Sequence, residues 1–130
     1  MVDISEKKVS SIMDELEELT DYDLDIIEDT YNKYRSKGYD RFESMRLTWR
    51  EIIDDFFVSR YESIKSDDGW GFNAIKAWFF GFLYDMAGFN SKVMQQKYKE
   101  FRKSYKPYNA LKKTVLFFAD IGFQQLVKEK

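Results

Sequence analysis

Asn73-Ala74-Ile75-Lys76-Ala77-Trp78-Phe79-Phe80-Gly81-Phe82-Leu83-Tyr84-Asp85-Met86-Ala87, with Gly88 behind it, is the stretch that decides the fold. Its large apolar residues fall almost all round a helix, and nothing in it alternates with period two as a strand would. Gly88 supplies a residue suited to the left-handed conformation that stops a helix. A membrane span needs about 20 predominantly apolar residues, and Lys76 and Asp85 inside the run argue against one. The reading is a helix over about 73–87, buried on most sides, at the centre of an all-α fold. Gly81 costs about 1 kcal/mol against Ala in mid-helix, which predicts a close helix crossing at that point.

Outward from this helix, punctuation divides the chain into about six helices. Asn90 or Ser91 opens the next one, which should run to about Tyr105, because Pro107 disfavours the α conformation at Lys106. A last helix starts around Pro107 to Asn109 and continues to the C-terminus. Upstream, Ser66 to Gly71 is a break with two acids and two glycines. Before it lies the longest helix, capped by Asp40 with Glu43 completing the capping box, and running to about Lys65. Its face is Phe42, Met45, Trp49, Ile52, Ile53, Phe56 and Ile64. A helix after Thr20, with Asp23 in its first turn, ends at Gly38. The first helix is expected to start at Asp3, with Glu6 as its box partner and Val9, Met13, Leu16 and Leu19 as its stripe. The one proline in 130 residues fits a helical chain. The fold class is therefore an all-α, single-domain bundle over 1–130.

The composition supports a packed core: 44% of residues are hydrophobic, and the aromatics number 12 Phe, 9 Tyr and 3 Trp. Trp70-Gly71-Phe72 reads as a plug over the core, and the aromatic run at 78–82 as core packing rather than the lining of a ligand pocket. The start Met1-Val2-Asp3-Ile4-Ser5-Glu6 has neither the basic residues nor the apolar run of a signal peptide, so the expected location is cytoplasmic.

Chemistry is constrained by what is missing. The chain has no Cys and no His. Thiolate chemistry, serine triads and His-ligated metal centres are thereby excluded. Carboxylate-bound Mg²⁺ is the main enzymatic option left. Glu51 and Asp54 lie one helical turn apart, as do Glu15 and Glu18, and Asp25 and Glu28. Such pairs on two helices resemble the acidic motifs of the all-α nucleotide pyrophosphohydrolases. That resemblance implies Mg²⁺ held against a di- or triphosphate. The surrounding residues depart from the family's pattern. No cofactor is expected otherwise.

Charge is polarised along the chain. Residues 1–68 hold 19 acids against 10 bases, and residues 69–130 hold 4 acids against 11 bases, for a net of −2. Asp14 to Asp29 contains nine acids and no base. Within it Asp14, Glu17, Glu18, Asp21 and Asp25 form a candidate surface for a basic partner. On the fifth helix Lys92, Lys99, Lys103 and Lys106 fall within about 60° of one another, with Gln95 and Gln96 nearby. Arg102 extends this ridge, whose expected length is about 21 Å. Met94, Tyr98, Phe101 and Tyr105 should face the core. Each charged surface also fits a plain solvated helix face. The leading expectation is a non-catalytic protein-interaction module, of a composition frequent in viruses and mobile elements, with a protein partner and a tendency to homo-oligomerise. The second is nucleic-acid binding by phosphate contacts along the ridge. No membrane role is expected.

Overall fold

The computed structural model describes residues 3–129 and contains six α-helices: α1 (Glu6–Thr20), α2 (Leu24–Ser36), α3 (Arg41–Ser63), α4 (Phe72–Ala87), α5 (Ser91–Arg102) and α6 (Pro107–Lys128). No strand forms among the described residues. The all-α bundle expected from the sequence is the observed fold. Met1 and Val2, part of the leader reading, and Lys130, at the end of the expected last helix, lie outside the described residues.

Helices α3 and α6 form the pair to which the others attach. Helix α3 packs on α1, α2 and α6, while α6 meets α1, α3, α4 and α5. At 23 residues, α3 is about 34 Å long and reaches neighbours along its whole length. Phe57 and Tyr61, outside the expected face of α3, are buried as well, because Phe79 of α4 and Tyr108 of α6 pack on that side.

The core is aromatic. Phe56 stacks on Phe82 at 4.9 Å, Phe57 meets Phe79 at 4.7 Å, and Tyr61 meets Tyr108 edge-on at 4.8 Å. Trp49 is buried against Phe123, and its indole N–H donates to the Ala119 carbonyl at 3.0 Å. Among the described residues no buried side-chain polar atom lacks a partner. The buried Thr20, Thr48 and Thr114 each donate to the carbonyl four residues back, at 2.7 Å.

Helix α4 supplies Ile75, Phe79, Phe80, Phe82, Leu83 and Met86 to this core, as its sequence predicts. Burial does not extend round the helix, however. Ala74, Ala77, Gly81, Tyr84 and Asp85 are exposed along the other side. Alanine and glycine count as apolar but cost little in water, so the composition overstates how much of α4 must be covered. The close crossing expected at Gly81 is absent, since a Cβ there would meet nothing within 4 Å. The tight approach is at Gly122 of α6, where a Cβ would lie 2.8 Å from Met86 Sδ.

Helix boundaries differ from expectation at three places. The N-cap of α1 is Ser5, whose hydroxyl accepts from the Lys8 N–H at 3.1 Å. Asp3 instead reaches α3, where its carboxylate accepts from the Phe42 N–H at 2.9 Å and the Arg41 N–H at 3.3 Å. The chain also continues past Ser63 as a π-helical turn, Ile64–Asp68, until Gly69 turns left-handed at φ 67°. Trp70 then stands 45% exposed, and Phe72, packed on Tyr98 at 6.1 Å, takes the plugging role alone. Finally, α5 stops at Arg102, three residues before Tyr105. Its last turn tightens, with Ser104 N–H donating to the Phe101 carbonyl at 3.1 Å. Pro107 does hold Lys106 extended, at ψ 162°, as its ring requires. Tyr105, expected in the core, is 40% exposed beneath the Lys113 ammonium.

Candidate functional site

Helices α1 and α2 turn the same kind of side chain outward. Val9, Ile12, Met13 and Leu16 of α1 are buried, and so is Ile27 of α2. The intervening positions therefore face solvent, and there the sequence places acids. Asp14, Glu17, Glu18, Asp21, Asp23, Asp25, Glu28 and Asp29 are all exposed. Among the described residues none of them takes part in an ion pair or a side-chain hydrogen bond. Glu15 is partly covered. Burial first, then the charges of Glu18 and Glu129, raise its carboxyl above the usual range. Asp21 caps α1 in the left-handed conformation at φ 60°, the only described non-glycine residue there. The five acids singled out from the sequence are thus all exposed and, among the described residues, unpaired.

The basic residues divide differently. Lys92, Lys99, Arg102, Lys103 and Lys106 are exposed, and none is ion-paired among the described residues. Only Lys92, Lys99 and Arg102 belong to α5, which is about 18 Å long. Lys103 closes α5, Lys106 caps α6, and the turn between them breaks the single ridge that a longer helix would have carried. The Arg102 guanidinium donates to the Tyr105 carbonyl at 2.7 Å and is held at that turn. Met94 and Tyr98 face the core as expected.

In place of a ridge, α5 and α4 form a groove of about 500 Å³. Lys92, Lys99, Gln95 and Gln96 line it from α5, and Lys76 from α4. The Lys76 ammonium donates to Gln95 Oε1 at 3.0 Å and sits 4.6 Å from the Tyr98 ring centroid. Sequence reading finds Gln95, Gln96, Lys92 and Lys99 but not Lys76. The one signal for Lys76 was a charge inside an otherwise apolar helix.

Of the carboxylates read as possible Mg²⁺ ligands, Glu51 and Asp54 are occupied within the chain, whereas Glu18, Asp25 and Glu28 are exposed and, among the described residues, unpaired. Glu51 accepts from Lys33 at 2.9 Å and from the Tyr34 hydroxyl at 2.6 Å. Asp54 pairs with Lys112 at 3.0 Å. Asp55 accepts from Tyr22, whose hydroxyl is pushed up to about 12 by burial and then by the Asp55 charge. No three acids converge on a common point among the described residues. No described helix is long and apolar enough to cross a membrane. Compared with known proteins, the chain matches no family model, no curated protein and no solved structure.

Proposed function

We propose that the chain is a non-catalytic protein-interaction module whose α1–α2 face receives a basic protein partner. The observation that supports this is the absence, among the described residues, of any internal ion pair to the nine acids from Asp14 to Asp29. Several of them stand one helical turn apart, as Asp14 and Glu18 do in α1, and Asp25 and Asp29 in α2. Like charges at that spacing destabilise a helix by about 0.2–0.5 kcal/mol per pair. A cationic surface laid across them relieves the repulsion and steers the encounter.

The test neutralises the face in one variant: Asp14→Asn, Glu17→Gln, Glu18→Gln, Asp21→Asn and Asp25→Asn. Asparagine tolerates the left-handed conformation at position 21, so the α1 C-terminus keeps its geometry. The wild type should retain a basic protein from cell extract in 50 mM salt and release it in 500 mM, and the variant should retain none. Retention unchanged by the five substitutions would overturn the reading.

Nucleic-acid binding is the second reading, favoured by the exposure of Lys92, Lys99, Arg102, Lys103 and Lys106 without ion pairs among the described residues. The turn after Arg102 leaves fewer lysines in line for successive phosphates. If duplex DNA is bound nonetheless, log K should fall against log salt by about 0.9 per phosphate contact.

A further inference from the structure

We propose that the groove between α4 and α5 is a binding site for a compact phosphoryl anion, built from Lys76, Lys92 and Lys99 with Gln95, Gln96 and Ser91 as neutral hydrogen-bonding partners. All six residues line it, and no carboxylate does. Three lysines around one groove with no acid among them leave their mutual repulsion uncompensated within the lining.

Lys76 makes the case specific. It is partly buried, yet among the described residues no carboxylate pairs with it. A cation taken from water without a counter-charge carries a desolvation penalty. Here that penalty is only partly offset, by the Gln95 carbonyl oxygen at 3.0 Å and by the rings of Tyr98 and Phe80 at 4.6 and 5.9 Å. Those same contacts fix the ammonium in place before any ligand arrives. Burial first, and then the charge of Lys99, hold Lys76 below the usual lysine range. A multiply charged anion between the two lysines removes both costs.

The chemistry selects phosphate over carboxylate. Lysine is a compact point charge with rotatable donors, which suits a tetrahedral phosphoryl group. Arginine's planar fork serves carboxylate and phosphate alike and none lines the groove, so three lysine point charges select by the charge of the anion, which is higher on a di- or triphosphate than on a carboxylate. Its polar lining comes from only two adjacent helices, which suits a short di- or triphosphate, or one phosphorylated side chain, better than a long polymer.

Isothermal titration with sodium pyrophosphate in 20 mM salt tests the site, because a 0.1 M salt solution already screens exposed charges beyond about 10 Å. Lys76→Met and Lys99→Met keep the apolar stem and remove one charge each. Each should weaken pyrophosphate about tenfold, as the loss of one charge-assisted contact does. Lys113→Met removes the same charge from α6, outside the groove, and should change binding less than about twofold. Thermal melts confirm that each variant is folded. A phosphoserine peptide run in parallel tells a phosphorylated side chain from a free phosphate by which probe binds tighter. The proposal is overturned if wild type fails to bind both probes, if Lys113→Met loses as much as the groove variants, if succinate binds as tightly as pyrophosphate, or if only an oligonucleotide binds. The acidic face is not involved, so failure here leaves the reading of α1–α2 untouched.

Discussion

Asp3 precedes every helix, yet its carboxylate closes the first turn of α3. It accepts from the Phe42 N–H and, more weakly, from the Arg41 N–H, two of the four donors that a helix start leaves without internal partners. Asp40 takes a third, that of Glu43, at 2.8 Å. The bond from Phe42 is the largest cause holding the Asp3 carboxyl below its usual range. A carboxyl whose value is lowered by folding stabilises the fold above its unfolded value, and that contribution is lost as pH falls through the folded value. Asp3→Ala should therefore lower the melting temperature at pH 7, and the gap from wild type should close as the pH drops through the acid range. A gap that stays constant down to pH 2 would show that the carboxylate charge is irrelevant. Between about pH 6 and 8 both proteins should melt at nearly constant temperature, since no histidine titrates there. The sequence shows Asp3, three residues ahead of Glu6, as a local cap. Ser5 has the better claim, and only the fold reveals that the start of α3 passes beside Asp3.

At the scale of elements, the sequence located all six helices because each carries its own local signal. Gly88 stops α4, Asn90 caps α5 through its bonds from Lys92 and Val93, and Pro107 opens α6. What local signals cannot convey is which side of a helix finds a neighbour. Gly81 and Gly122 illustrate the difference. Both interrupt helical runs, and Gly81 sits in the more apolar one, so it reads as the crossing point. The structure puts open space at Gly81 and Met86 against Gly122. Opposite outcomes follow on substitution. Gly81→Ala adds a better helix former at no steric cost and should stabilise by about 0.5–1 kcal/mol. Gly122→Leu forces α4 and α6 apart and should cost about 1–3 kcal/mol, as overpacking does. Met86→Ala should recover part of that loss, because the new side chain can enter the space the thioether vacates. Urea titration of the single and double variants measures the coupling. A Gly122→Leu protein as stable as wild type would mean that the helices do not approach closely there.

For the whole molecule, the imbalance of charge along the chain becomes two patches. The unpaired acids from Asp14 to Asp29 lie on α1, α2 and the turn between them, while Lys92 and Lys99 lie on α5 and Lys76 on α4, although single opposite charges such as Lys7 on α1 and Asp85 on α4 stand among them. The half-by-half imbalance was readable in the sequence, because charged residues rarely bury and so mark the surface wherever the chain goes. The groove was not, because Lys76 and Lys99 belong to different helices and only packing brings them together. If the acidic patch of one copy meets the basic patch of the next, the contact between them is head-to-tail. Such a contact repeats from copy to copy without closing unless the rotation happens to form a ring. The net charge of −2 offers little average repulsion to oppose it. In 50 mM salt the mass measured by light scattering should then climb with concentration above the 15.7 kDa of one chain. In 0.5 M salt it should return to that value, because attraction between exposed charges is screened within a few ångströms. Neutralising the five acids of the α1–α2 face should abolish the growth at every salt concentration, since it removes one of the two complementary patches. Lys76→Met should scarcely alter it, because that ammonium is partly buried and offers less charge at the surface. A basic partner bound to the α1–α2 face should likewise return the chain to single copies, because it occupies the patch a second copy would use. A mass fixed at that of one chain across the concentration series in 50 mM salt would show that the two faces do not meet between copies. Both would then be left free for other partners.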